Sequence, residues 1–187
     1  MRTYCLLVIL LLIGAPAPHP VGRCGTERWA VKTLTDPAAG AVALTPIATT
    51  VATLRAIPAP APLPVTRAPQ ELHAYQVHVV VLGWKREADQ DLHIVIADAA
   101  SPDRTMIVEI PSASCTLRTA PPLRDRIATA RAAALLRFGT PTAAFKRLRP
   151  PVPATITGVG FFDLLHGQTG VAPNGIELHP VLGISFP

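Results

Sequence analysis

Aromatic side chains make up only 5% of the 187 residues. A stacking platform for single-stranded nucleic acid would have to come from very few rings, of which Trp84, Phe161 and Phe162 are the main candidates. Charged residues are also sparse, at 16%, but a positive mean hydropathy excludes a chain disordered throughout. No apolar run approaches the roughly 20 residues that span a bilayer; the longest, Cys5 to Ile13, has nine. The three cysteines lie far apart and match no zinc-binding spacing. His-Glu-x-x-His, Gly-x-Ser-x-Gly, an EF-hand loop and a Gly-Lys-Ser/Thr phosphate loop are all missing. The familiar metalloprotease, serine-hydrolase and nucleotide-binding sites are therefore not encoded in their usual form.

Residues 1–17 have the pattern of a secretory signal peptide: Arg2, the apolar stretch Cys5 to Ile13, and the small-x-small site Ala15-Pro16-Ala17. This places the protein outside the cell or in the periplasm. Cleavage leaves Cys24 and Cys115, which are expected to form a disulfide in an oxidising compartment. Proline is abundant, with 21 residues, and residues 18–70 are rich in Pro, Ala and Thr. Within them Trp29 to Leu34 reads as a short strand, and Thr49 or Thr50 as the cap of a short helix through Val51, Leu54 and Ile57. The segment is expected as an extension and strap over the surface of a domain at 71–187.

That domain reads as mainly β with one helix. Tyr75, Val77, Val79 and Val81 alternate along a first strand, Leu92, Ile94 and Ile96 along a second, and Met106, Val108 and Ile110 along a third. Turn residues at 97–104 make the second and third a hairpin. The period then changes: Leu123, Ile127, Ala130, Ala134 and Phe138 recur at helical spacing between Pro121-Pro122 and Gly139. Strands at 155–162 and 176–186 follow, with Pro180 implying an edge or bulge. Strand, strand, strand, helix, strand, strand is the order of a five-stranded OB-fold-like barrel; an open sheet carrying one helix is the alternative.

The stretch from Thr157 to Leu182, containing TGVGFFD, LLHGQTG and VAPNGIELHPVL, together with Asp89 to His93 and Met106 to Pro111, resembles a group of uncharacterised secreted bacterial proteins. The resemblance covers most of residues 25–187 and carries no activity with it. In strand order alone the chain is also similar to the thermonucleases, secreted OB-fold phosphodiesterases, without a residue-by-residue match to their site.

Alternation gives the polar residues a common face. If Leu92, Ile94 and Ile96 point to the core, Asp91 and His93 point away from it, as does Glu109 between Val108 and Ile110. A hairpin centred at Ser101 sets His93 directly across from Glu109. Glu177 and His179 share a face of the last strand, and Asp163 and His166 lie in the loop before it. With Asp89, this polar cluster offers His and carboxylate groups suited to one divalent metal ion, held by His93, Glu109, Glu177 and His179, or to acid–base chemistry. The plainer reading gives these groups ion pairs on a solvated sheet face and loop-organising hydrogen bonds, with no cofactor.

Lys+Arg exceed Asp+Glu by 17 to 12. Arg124 and Arg131 fall on one helical face, and Lys146, Arg147 and Arg149 follow the helix, so an anionic polymer such as nucleic acid or acidic glycan is a candidate partner. Two functions follow. The chain is a binding or interaction module for an anionic ligand, or a metal-assisted, phosphodiesterase-like hydrolase using the His/carboxylate cluster.

Overall fold

The computed structural model describes Cys24, Gly25 and residues 27–187. The signal-peptide expectation at residues 1–17 lies outside the described residues. Among the described residues the chain is mainly β with one long helix. Six strands form one sheet: β1 (Ala43–Thr49), β2 (His73–Arg86), β3 (Leu92–Ala97), β4 (Thr105–Ile110), β5 (Lys146–Phe162) and β6 (Ile176–Ser185). The spatial order is β1-β2-β3-β4-β6-β5, and β2 also pairs with β5. The strands thus run in a ring, but not a regular barrel: register shifts interrupt β2 between Val81 and Gly83 and β5 around Gly158.

The helices are α1 (Trp29–Lys32), α2 (Val51–Arg55) and α3 (Pro121–Phe138). Along α3, Ile127, Ala130, Ala134 and Phe138 are the buried positions, spaced three to four apart as an amphipathic helix requires. They join Val77, Val79, Val81, Ile94, Ile96, Val108, Ile156 and Leu178 from the strands in one core. The Thr50 side chain caps α2 by accepting the Thr53 N–H, while Asp98 accepts the N–H groups of Val51 and Ala52.

Two expectations are corrected. Trp29 to Leu34 is not a strand but the helix α1 with its exit turn, because no strand among the described residues pairs with it. The chain instead closes locally: Thr33 Oγ1 donates to Trp29 O, and the Thr35 and Asp36 N–H groups donate to Ala30 O. Nor is the segment before residue 70 only a surface strap. It supplies β1, parallel to β2, and buries Val31, Leu34, Val42, Val51, Leu54 and Ala68. Its proline content masked the scattered apolar residues that do this. A disulfide joins Cys24 to Cys115, the last residue of a 3₁₀ turn (Ala113–Cys115) that follows β4.

Candidate functional site

Every residue of β3 is buried, in both phases of its alternation. Leu92, Ile94 and Ile96 enter the main core; His93 and Val95 face the other way, beneath the loop that connects β5 to β6. Gly170 of that loop, at φ +84°, lies so close that a Cβ there would come within 2.5 Å of the Val95 side chain. Thr169 next to it accepts a hydrogen bond from His93 Nε2 at 2.8 Å. Asp91, His93, Glu109, Glu177 and His179 are consequently all below 8% exposed, which corrects the expectation of a solvated sheet face.

Pairing brings these side chains together. His93 stands directly opposite Glu109 in the β3–β4 ladder, and the short parallel ladder between β4 and β6 sets Glu177 beside Ile107. Two residues further along β6, on the same face, His179 reaches the other side of Glu109. Glu109 Oε1 lies 3.1 Å from His93 Nδ1, and its Oε2 lies 3.1 Å from His179 Nδ1. His93 Nδ1 is also 3.2 Å from Glu87 Oε1, which Lys85 Nζ approaches to 2.8 Å. On the far side of its ring, His179 Nε2 is 3.4 Å from Asp91 Oδ2. Asp91 Oδ1 accepts the Ser112 N–H. Despite these short distances, both ring nitrogens of His179, Asp91 Oδ2 and Glu177 Oε2 are buried without a hydrogen-bond partner among the described residues.

A cavity of about 270 Å³ opens over the cluster, lined by Lys32, Glu87, Asp89, Glu109, Asp163 and His166 among others. Lys32, from α1, places Nζ 3.5 Å from Asp163 Oδ2 and 5.2 Å from the centre of the Phe161 ring. Asp163 is thus an ion-pair partner of Lys32 at the cavity wall, and His166 is an exposed residue at its edge rather than a member of the buried cluster.

Charges in this pocket control one another. Burial opposes protonation of His93, but contact with Glu109 and Glu87 outweighs it and pushes the imidazole up to about 10. Burial likewise opposes the charge on His179, and the approach of Asp91 and Glu109 raises it to about 9. Glu109 is held well below the usual carboxylate range: burial works against its charge, and the two histidines overcome it. Burial and the Glu109 charge raise Glu177 well above that range. Burial opposes the ammonium of Lys32, yet attraction to Glu109, Asp163, Glu177 and Asp89 raises it.

These shifts give the metal-free protein a pH optimum for stability. The histidines, raised from 6.5, contribute stability that is complete below about pH 6.5 and is lost as pH rises through 9 to 10. Glu177, raised from 4.5, acts in the same direction, whereas Glu109, lowered from 4.5, contributes above that value and loses its contribution in acid. Denaturation midpoints measured after chelation are expected to be highest near pH 4.5, where Glu109 has gained its contribution and Glu177 begins to lose its own, and to fall further above pH 6.5 as the histidines lose theirs. A midpoint that is flat or rising from pH 6.5 to 9 contradicts this charge arrangement.

The other sequence candidates separate. Arg131 is turned inward, donating to Ile110 O at 2.7 Å and Gln90 O at 2.9 Å, so it ties α3 to the ends of the β3–β4 hairpin instead of presenting a free cation. Arg124 is half-buried, while Lys146, Arg147 and Arg149 are exposed on β5. Trp84, Phe161 and Phe162 are at most 1% exposed and offer no surface for stacking bases.

Glu87 and Lys32 were not foreseen. The signal for Glu87 was present, since Glu87, Asp89, Asp91 and His93 continue one alternating phase backward from β3. Lys32 had none, because it comes from a four-residue helix brought in from a distant part of the chain. Comparison with protein-family models, curated proteins and solved structures finds no match.

Proposed function

We propose that the protein is a metal-dependent hydrolase built on an OB-fold-like ring of strands, with a divalent ion held by Glu87, His93 and Glu109 at the floor of the cavity. The observation that carries this reading is the state of His93. Thr169 O can only accept, so Nε2 carries a proton. Nδ1, whose own proton points to Glu109 when no ion is bound, lies 3.1 and 3.2 Å from two carboxylate oxygens, and a bound ion would replace that proton. A histidine ligand with its second nitrogen fixed by a backbone carbonyl is the usual arrangement at protein metal sites. Ligand atoms bound about 2.0 to 2.1 Å from a tetrahedral ion stand about 3.3 Å apart, close to these separations. Glu87 is only partly covered and lines the cavity, so water completing the coordination of an ion held there would face the space where a substrate would sit. The ion would lower that water's pKa and supply the nucleophile, while Lys32 would balance negative charge on the substrate.

The ring order, with α3 between the third and fourth ring strands, supports the OB-like description. The disulfide supports an oxidising compartment, secreted or periplasmic. A purely anion-binding module is supported less well, because Arg131 is already engaged and the large aromatic rings are buried.

Calorimetric titration of the oxidised, chelator-stripped protein with Zn²⁺ or Mn²⁺ is expected to show binding tighter than millimolar. His93→Ala should weaken uptake at this site by at least about a hundredfold, since a direct ligand should matter no less than the outer partners whose loss costs up to about that much. Metal-dependent cleavage of a nitrophenyl phosphodiester should fall with it. Absence of binding by the unsubstituted protein overturns the reading.

A further inference from the structure

We infer that the cluster is a dinuclear centre, in which Glu109 bridges the ion described above to a second, fully buried divalent ion held by Asp91 and His179. The inference rests on the metal-dependent reading and extends it to a site with its own ligands. Glu109 is approached from both ends: His93 faces Oε1 and His179 faces Oε2, each at 3.1 Å. One carboxylate whose two oxygens meet different histidines is placed as a bridging ligand is placed between ions about 3.5 to 4 Å apart. Each half of the cluster is complete in itself. Glu87, His93 and Glu109 form one set, and Asp91, Glu109 and His179 form the other, with ligand atoms within 4.8 Å of one another in each.

A second observation is independent of that grouping. Asp91 Oδ2 and both nitrogens of His179 are buried and, among the described residues, without hydrogen-bond partners, although carboxylate oxygens lie only 3.1 and 3.4 Å from the ring. Both residues are 0% exposed, and Asp91 Oδ2 lies 3.4 Å from His179 Nε2. Groups so placed face away from hydrogen-bond alignment while keeping the spacing of ligands around an ion. Glu177, on the same face of β6 as His179, adds a buried oxygen that also lacks a partner among the described residues. A mixed imidazole and carboxylate set suits Zn²⁺, Mn²⁺ or Fe²⁺ rather than Ca²⁺. For the reaction, a second ion gives the centre a clamp on both the attacking and the leaving oxygen, the requirement of phosphate-ester cleavage.

Stoichiometry and magnetic coupling test this on the full oxidised chain after stripping and reloading. Two Zn²⁺ per chain by elemental analysis are expected, and the Mn²⁺-loaded protein should give a spin-coupled electron paramagnetic resonance spectrum. His179→Gln and Asp91→Asn should each reduce the content to one ion and abolish coupling, with the His93 site still filled. One ion per chain that is lost in His93→Ala but kept in both of those variants overturns the dinuclear centre and leaves the single site standing. No bound ion in the unsubstituted protein overturns both. Should either variant fail to fold, the stoichiometry and coupling of the unsubstituted protein still decide.

Discussion

Removing the Cys24–Cys115 bond, by reduction or by the paired substitutions Cys24→Ser and Cys115→Ser, is expected to lower stability by about 4 to 5 kcal/mol. The chain-entropy relation gives this magnitude for a crosslink between positions separated by 91 residues. Most of the effect lies in the unfolded chain, which gains conformational freedom, so the denaturant m-value should rise as the midpoint falls. The folded protein has a local share as well. The bond anchors the segment that enters α1, and Gly25 within it lies so near the Trp29 ring and the Asp89 carboxylate that a Cβ would meet them at 2.6 and 2.9 Å. Thr119 Oγ1 secures the exit of α1 by donating to Thr33 O at 2.7 Å. Without the disulfide this cover should loosen first at its Gly25 end. Equilibrium denaturation of oxidised and reduced protein measures the global part. A difference below about 1 kcal/mol would mean that the unfolded chain is already compact across this loop.

The His93–Glu109 pair was legible in the sequence because two local patterns agree. Apolar residues alternate on either side of both positions, and the turn at 97–104 makes the hairpin symmetric, so Ala97 pairs with Thr105 and His93 with Glu109. The helix α3 was legible for a similar reason, its four buried side chains repeating at helical spacing. What no local pattern encodes is the join between β4 and β6. Only two residue pairs, Ile107 with Glu177 and Val108 with Leu178, define that parallel ladder, and a long connection containing α3 and β5 separates them. The position of His179 against Glu109 depends on it. The burial of the outer face was equally hidden, since the cover comes from α1 and the β5–β6 loop, segments too short or irregular to show a period. Polar residues in alternation normally mark a solvated face. Here the same pattern marks a second, polar interior.

Replacing Glu71 with alanine is expected to destabilise the fold by about 3 to 5 kcal/mol, the usual consequence of removing one partner from a buried ion pair. Glu71 is 0% exposed, and both of its oxygens are fully used. Oε1 accepts from Arg28 Nη1 at 2.7 Å and from the Phe162 N–H at 2.8 Å, while Oε2 accepts from Arg28 Nη2 at 2.7 Å and from the Ala68 N–H at 2.6 Å. Alanine would leave two backbone donors and a guanidinium without their acceptor. Arg28 could not simply turn to solvent, because it also donates to Phe162 O and Thr66 O and lies 4.9 Å from the Phe161 ring centre. It further holds a left-handed φ of 46° at the entrance to α1, a conformation that a side chain with a Cβ adopts only when its surroundings enforce it. Glu71 therefore does more than hold the 3₁₀ turn in which it sits: through Arg28 it fixes α1, and through α1 it fixes Lys32 at the cavity. Glu71→Gln should do little better than alanine, since its amide nitrogen would face the donors that one carboxylate oxygen now accepts from. A double-mutant cycle with Arg28→Ala, read by chemical denaturation, should return a coupling of at least about 2 kcal/mol. A Glu71→Ala protein within about 1 kcal/mol of the original would show that α1 is held by the disulfide and Thr119 alone.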